Sequence, residues 1–405
     1  MDNREAWRGR YRRLTARMLA WAGGLAFAGV SVAGADLQPY VGLDVEHDSN
    51  LFDASHYLSI FPPGQNPTPG DTFYTYLAGV KGTYLWSLQQ FTATIEGRRV
   101  DYEHFTDLNH NEYLMTGSLA WKIGTPLSGT VDYRQEAFII PFANLAITSL
   151  EIEKQQTTGG TARLVFANDW ALNGGFSILE QQYPQPNLPD LGLHQTTTLI
   201  GLRYLGLGAL VYGISGQHLD GRFSGNPADA NYNQNTYQFD MIYNVSDLTA
   251  FNASLGETTR SQAGTAGSVH DPSGAFGYRR KLTGKTSINL QYSRVINNYV
   301  VDGGSELDSI ISADVTWQAT PKLGVDLMLG LTHSDYQQET VPGLLTAVGG
   351  NRTDRYTTAA LNLDWEPLRW LSVKPFVKYL DRSSTVDQFT FSGLGEGVKV
   401  LATFH

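Results

Sequence analysis

Leu323-Gly324-Val325-Asp326-Leu327-Met328-Leu329-Gly330-Leu331-Thr332 is the stretch that decides the fold. Aliphatic residues hold every odd position, and Gly, Asp, Met, Gly and Thr hold the even ones. Successive side chains of a β-strand point to opposite faces, so the pattern sets one face toward apolar surroundings and the other toward polar ones. The period recurs where Ile288, Leu290 and Tyr292 alternate with Ser287, Asn289, Gln291 and Ser293. It recurs again where Tyr237, Phe239, Met241 and Tyr243 alternate with Gln238, Asp240, Ile242 and Asn244. Soluble sandwiches alternate too, so the connections carry the distinction.

Outward from this stretch, two kinds of connection take strict turns. Short ones fall at Trp86-Ser87-Leu88, Gly124-Thr125-Pro126, Asn168-Asp169, Leu205-Gly206-Leu207, Val245-Ser246-Asp247, Thr283-Gly284, Thr320-Pro321 and Glu366-Pro367-Leu368. Longer polar loops lie between them, at 48–72, 104–110, 140–154, 184–192, 220–231, 261–268, 300–305, 337–352 and 383–388. Tight periplasmic turns alternating with longer extracellular loops mark an outer-membrane barrel. The expectation is an all-β, transmembrane, antiparallel up-and-down β-barrel of about eighteen strands, with both termini periplasmic. Merging or losing one hairpin changes that to about sixteen or twenty.

Bulk composition agrees. Charged residues are 17% of the chain, below the roughly 25% of soluble domains. Residues 1–35 read as a signal peptide: Arg4, Arg8, Arg10, Arg12, Arg13 and Arg17 precede an apolar, Gly-rich run from Met18 to Val32, and Ala33-Gly34-Ala35 is an A-x-A cleavage site. Residues 36–405 then form the barrel. Removing the six Arg, with Asp2 and Glu5, takes the formal charge from −10 to −14, which argues against nucleic acid as a partner. After Asp36 no apolar run is long enough for a spanning helix. A membrane protein without one must close its strands into a barrel, because open strand edges cannot sit in lipid.

Trp86, Trp121, Trp170, Trp317, Trp365 and Trp370 all lie beside short turns, where amphipathic rings favour the lipid–water boundary. The last strand alternates through Val398, Val400, Ala402 and Phe404. It is similar to the terminal signal read by the barrel-assembly machinery, with the aromatic one residue early. Outer-membrane lipid and that machinery are the expected partners in a Gram-negative envelope.

At the mature start, Pro39-Tyr40-Val41-Gly42-Leu43-Asp44-Val45-Glu46-His47-Asp48-Ser49-Asn50-Leu51-Phe52 resembles the outer-membrane barrel proteins encoded with exopolysaccharide biosynthesis genes, the EpsL-like family. Their first strand ends in a D-x-N-hydrophobic-aromatic motif, matched here by Asp48, Asn50, Leu51 and Phe52. Beyond the motif the resemblance rests on length and strand rhythm. It implies a porin-like conduit for exopolysaccharide, with the polymer and periplasmic export proteins as partners. Read as residues alone, Asp48-Ser49-Asn50 is a strand-ending turn, since Asp and Asn bond their own backbone there; this reading is preferred to a calcium or sugar site.

No metal, phosphate-loop or nucleophile-elbow motif occurs, so no cofactor is expected. His104, His110 and His194 read as solvated loop residues. Alternation points a set of charges inward: Asp44, Glu46, Lys81, Glu96, Arg98, Asp132, Arg134, Glu136, Asp240, Asp314, Asp326, Asp364, Lys374, Lys378 and Lys399. Lysine or arginine on the lipid face would cost about 2–4 kcal/mol each at the midplane. Arg98, Asp132, Arg134, Glu136, Asp240, Asp314, Asp326, Lys374 and Lys378 are the candidate contacts along a solute path. Asp132 and Glu136 beside Arg134 could also do glycosidase chemistry, which needs carboxylates about 5–10 Å apart; a ladder of ion pairs along a wet wall is preferred. Mixed signs suit a neutral cargo, with Lys374, Lys378 and Lys399 as a local basic stripe. Three functions compete: a conduit that is no enzyme, a barrel enzyme acting on glycan or lipid, and an adhesive barrel. A general small-solute porin stands beside the conduit. Open lumen, convergent catalytic groups and large ordered loops are their respective signatures.

Overall fold

The computed structural model describes residues 34–53, 55, 70–142, 149–167, 169–184, 192–224, 231–263, 268–298, 305–337 and 352–404. The expected signal peptide falls outside them apart from Gly34 and Ala35, as do most residues of the longer loops.

Eighteen antiparallel strands make one closed sheet. They are β1 (Ala35–Asp48), β2 (Asp71–Trp86), β3 (Gln89–Tyr102), β4 (His110–Ile123), β5 (Leu127–Ile139), β6 (Ile152–Phe166), β7 (Trp170–Gln182), β8 (Leu193–Leu207) and β9 (Leu210–Phe223). The ring continues through β10 (Tyr232–Ser246), β11 (Thr249–Gln262), β12 (Ser268–Lys281), β13 (Thr286–Asn298), β14 (Ser305–Thr320), β15 (Leu323–Gln337), β16 (Thr353–Leu368), β17 (Leu371–Ser384) and β18 (Phe391–Thr403). Each strand pairs with its sequence neighbours, and β1 pairs with both β2 and β18, so Asp44 faces Thr75 on one side and Lys399 on the other. Closure leaves no free edge, which is what lipid demands of a sheet.

The short turns follow the expected rhythm with three corrections. β8 runs through Leu205-Gly206-Leu207 and turns at Gly208-Ala209, after an irregularity between Tyr204 and Leu207. β10 runs through Val245-Ser246 and turns at Asp247-Leu248, after an irregularity between Asn244 and Ser246. β16 likewise runs through Glu366-Pro367-Leu368 and turns at Arg369-Trp370. In all three, a bulge lets the strand continue past residues that read as turn formers.

The alternation fixes inside and outside. Leu327, Leu329 and Leu331 are exposed on the outer wall, with Phe239, Leu255, Phe276 and Leu361 on other strands. Around the short-turn end Trp86, Trp170, Trp317, Trp365 and Trp370 are exposed as well, and Tyr204 lies tilted between the rings of Trp170 and Tyr212. This is an apolar band with an aromatic girdle, the outer surface of an outer-membrane barrel.

Burial is concentrated at the opposite, long-loop end. Phe52 packs with Val100, Tyr102, Leu108 and Phe142, its ring 4.7 Å from Phe105 and 5.0 Å from Phe142. On the β15–β18 side, Arg352 and Arg382 are almost fully buried and share Asp354. The Arg352 guanidinium lies 3.6 Å from the Tyr336 ring centroid and 4.1 Å from that of Phe389. The interior is therefore filled near the long loops and emptier toward the short turns.

Candidate functional site: a charge-lined lumen

All nine candidate contacts lie on the inward face, but most are held by neighbouring side chains of the same wall. Arg134 grips Glu136 through two bonds of 2.8 and 2.6 Å, and Asp132 accepts from the Ser118 hydroxyl at 2.6 Å. Four residues along a strand span about 13 Å. Asp132 is thus a hydroxyl acceptor and Glu136 half of a wall ion pair, and the two lie beyond the spacing of a glycosidase pair. Arg98 bonds Glu96 and sits 3.6 Å from Glu112, while Glu96 accepts from the Tyr40 hydroxyl at 2.7 Å. Asp240 accepts from Ser215 and Gln238, and Asp314 from Asn289.

The expected basic stripe is corrected. Lys374 pairs with Asp364 at 2.7 Å, Lys378 with Glu46, and Lys399 with Asp44 at 3.4 Å. Register places a carboxylate beside each lysine, so the stripe carries little net charge. Two of these contacts pass over glycine. Lys378 on β17 crosses Gly395 on β18 to reach Glu46 on β1, and Tyr40 on β1 crosses Gly79 on β2 to reach Glu96 on β3. A Cβ on Gly395 would sit 2.4 Å from the Lys378 stem, and one on Gly79 would sit 2.5 Å from the Tyr40 hydroxyl. Absent side chains allow this close approach and stitch β1 to strands two away on either side.

The motif residues form the turn that the residues alone suggest. The Asn50 amide donates to the Asp48 carboxylate at 2.9 Å. Ser49 exchanges bonds with Leu394, and the Asn50 side chain donates to the Ser392 oxygen at 3.0 Å. Phe52 is thereby turned into the apolar cluster over the lumen, with Leu51 packed against it. Histidines are corrected too. His110 is buried, bonded to the Leu108 oxygen and Glu112, and stacked on Tyr102. His104 stays exposed but holds Asp71 at 2.8 Å, and His194 lies 3.5 Å from Glu180. The bond to Asp71 raises the pKa of His104 above its ordinary value. Among the described residues no three His, Asp or Glu gather as a metal site.

Two recesses open in the short-turn half of the lumen. One, about 600 Å³, is lined by Lys122, Arg163 and Arg203 with Ser128, Asn173 and Asp240. The other, about 510 Å³, is lined by Asp314, Asp326 and Asp364 with Asp44, Lys374 and Lys399. Arg163 is on β6 and Asp326 on β15, half-way round the ring of eighteen strands. The lumen is therefore polarised across its width. Sequence reasoning missed Lys122, Arg163 and Arg203. The signal was present, since Arg163 stands between Ala162 and Leu164 and Arg203 between Leu202 and Tyr204.

No family model matches the chain. No curated protein matches it. The chain is similar to solved outer-membrane structures. OccK2 (OpdF) of Pseudomonas aeruginosa has a TM-score of 0.50 and 11% identity over 91% of this chain and 98% of that one. OccAB3 of Acinetobacter baumannii gives 0.49 and 12% over 92% and 100%, and the siderophore receptor PirA of P. aeruginosa 0.46 and 9% over 91% and 80%. The chain is an outer-membrane β-barrel of eighteen strands.

Proposed function

We propose that this barrel is an outer-membrane channel for small hydrophilic solutes, with its short turns and both termini in the periplasm. The contrast between the two halves of the lumen carries the reading. The short-turn half is recessed and lined with charge, while the long-loop half is narrowed by Phe52, Tyr102, Arg352 and Arg382. Barrels of this strand number leave an aqueous channel, and a narrowed mouth suits a small solute better than a polymer. The exopolysaccharide conduit implied by the family resemblance needs a glycan chain to pass that mouth. A glycosidase would need convergent carboxylates, and Asp132 and Glu136 do not converge. Val398, Val400, Ala402 and Phe404 share the outward face, which supports recognition by the barrel-assembly machinery.

Single-channel recording of the refolded protein, begun at Asp36 as the cleavage site requires, tests the channel. Discrete conductance steps are expected, with small polyethylene glycols reducing them and large ones excluded. A silent membrane removes the channel reading; free entry of long polymers restores the conduit.

A further inference from the structure

We infer that the β4–β8 wall of the lumen carries a binding subsite for small hydroxylated anions, formed by Lys122, Arg163 and Arg203. The inference rests on the channel reading above and deepens it by naming a solute class. Its basis is register. Lys122 faces Ser128, Ser128 faces Arg163, and Arg163 faces Asn173 across successive strands. Arg203 stands on β8, opposite Gly213 and Ala171. Neighbouring strands lie about 4.8 Å apart, so Lys122 and Arg163 are about 10 Å apart along the wall, as are the strands of Arg163 and Arg203.

These three share one recess and each lacks a carboxylate among the described residues; Lys81 and Arg279 also lack one but line no part of this recess. Arg98, Arg134, Lys374, Lys378 and Lys399 each hold one. Among the described residues Lys122, Arg163 and Arg203 have no ion pair. Uncompensated charges in a cleft with low-dielectric walls focus the field and raise the local concentration of counter-ions. The facing wall carries Asp314 and Asp326, which repel an anion, while its Lys374 and Lys399 are each held by a carboxylate. An anion entering this half of the lumen is driven onto β4–β8.

The remaining lining chooses among anions. Asp240 bounds the recess, already holding Ser215 at 2.7 Å and Gln238 at 2.8 Å. A carboxylate and amides at one edge accept from and donate to hydroxyl groups, while the cations take the charge. A ligand with an anionic group at one end and hydroxyls at the other satisfies both, and a bare inorganic anion satisfies only one. Sugar acids and sugar phosphates share that chemistry.

The test uses the refolded barrel in planar bilayers, beside the triple variant Lys122→Gln, Arg163→Gln, Arg203→Gln. Reversal potentials in a KCl gradient should show the wild type more permeable to chloride than the variant. Gluconate and glucose 6-phosphate should reduce wild-type current at about tenfold lower concentration than glucose, a difference of about 1.4 kcal/mol. The variant should lose that preference. Block by gluconate alone assigns the site to carboxylates, and block by glucose 6-phosphate alone assigns it to phosphates. Asp326→Asn on the facing wall should move the reversal potential the opposite way, and Arg163→Gln alone carries the test if the triple variant does not fold. A conducting variant with unchanged reversal potential and unchanged block overturns the subsite while leaving the channel intact. A wild type that conducts nothing overturns the channel and the subsite together.

Discussion

Asn50 donates its side-chain amide to the main-chain oxygen of Ser392 at 3.0 Å, across 342 residues of sequence. The bond ties the first strand's exit to the start of the last strand, just beyond the ladder in which Asp48 faces Gly395. Ser55 adds a second tie, its hydroxyl donating to the Asp387 oxygen at 2.7 Å. The segment between them carries Phe52 inward, so closure of the ring and narrowing of its mouth share one structure.

Phe52→Ala should therefore widen the mouth more than it weakens the barrel. Phe52 is buried among aromatic and aliphatic side chains, where removing a phenyl ring costs about 3–5 kcal/mol. The loss is local to this apolar cluster, so single-channel conductance should rise while heat-resistant migration on gels persists. Unchanged conductance would remove Phe52 from the constriction.

Asp354 should matter more to stability than either arginine it holds. It is fully buried and shared by Arg352 and Arg382. Removing one partner of a buried pair costs about 3–5 kcal/mol because a charge stays uncompensated. Asp354→Ala takes the shared carboxylate from both guanidiniums at once, whereas Arg352→Met leaves the Arg382–Asp354 pair standing. Urea unfolding in detergent should show the lower midpoint for Asp354→Ala.

Leu327→Arg should block assembly and Asp326→Asn should not. Leu327 is exposed on the lipid face and Asp326 lines the lumen. An arginine on the lipid face at mid-depth costs about 2–4 kcal/mol, while Asn in water costs little. Folded yield in vesicles measures both; equal yields would reverse the in–out register of β15.

The loop held by His104 should loosen at alkaline pH. Its pKa is raised from 6.5 by the bond to Asp71 and by that charge, and the Asp71 carboxylate also accepts from the Phe105 and Thr72 amides. A raised value means the contribution is fully present below pH 6.5 and is lost as pH rises through the higher folded value. Amide exchange at Phe105, relative to its intrinsic rate, should be slower on the acid side, and His104→Gln should erase that difference.

Strand number, the in–out assignment and the girdle were legible in residues such as Leu323–Leu331 and Trp317, because strand geometry repeats every two residues and turns have their own chemistry. The bulged ends of β8, β10 and β16 were not, since Leu205-Gly206-Leu207, Val245-Ser246 and Glu366-Pro367-Leu368 look like turns locally and are held as strand by a neighbour's ladder.

For the site the division falls elsewhere. Alternation by itself determined that Asp44, Glu46, Lys378 and Lys399 point into one lumen, because each follows the period of its own strand. Only the tertiary structure decided that Lys378 meets Glu46 and Lys399 meets Asp44, while Lys122, Arg163 and Arg203 meet no carboxylate among the described residues. Whether a charge is neutralised depends on what stands opposite it across the ladder. That partner is set by register and by the closing of β1 on β18, which no single strand encodes.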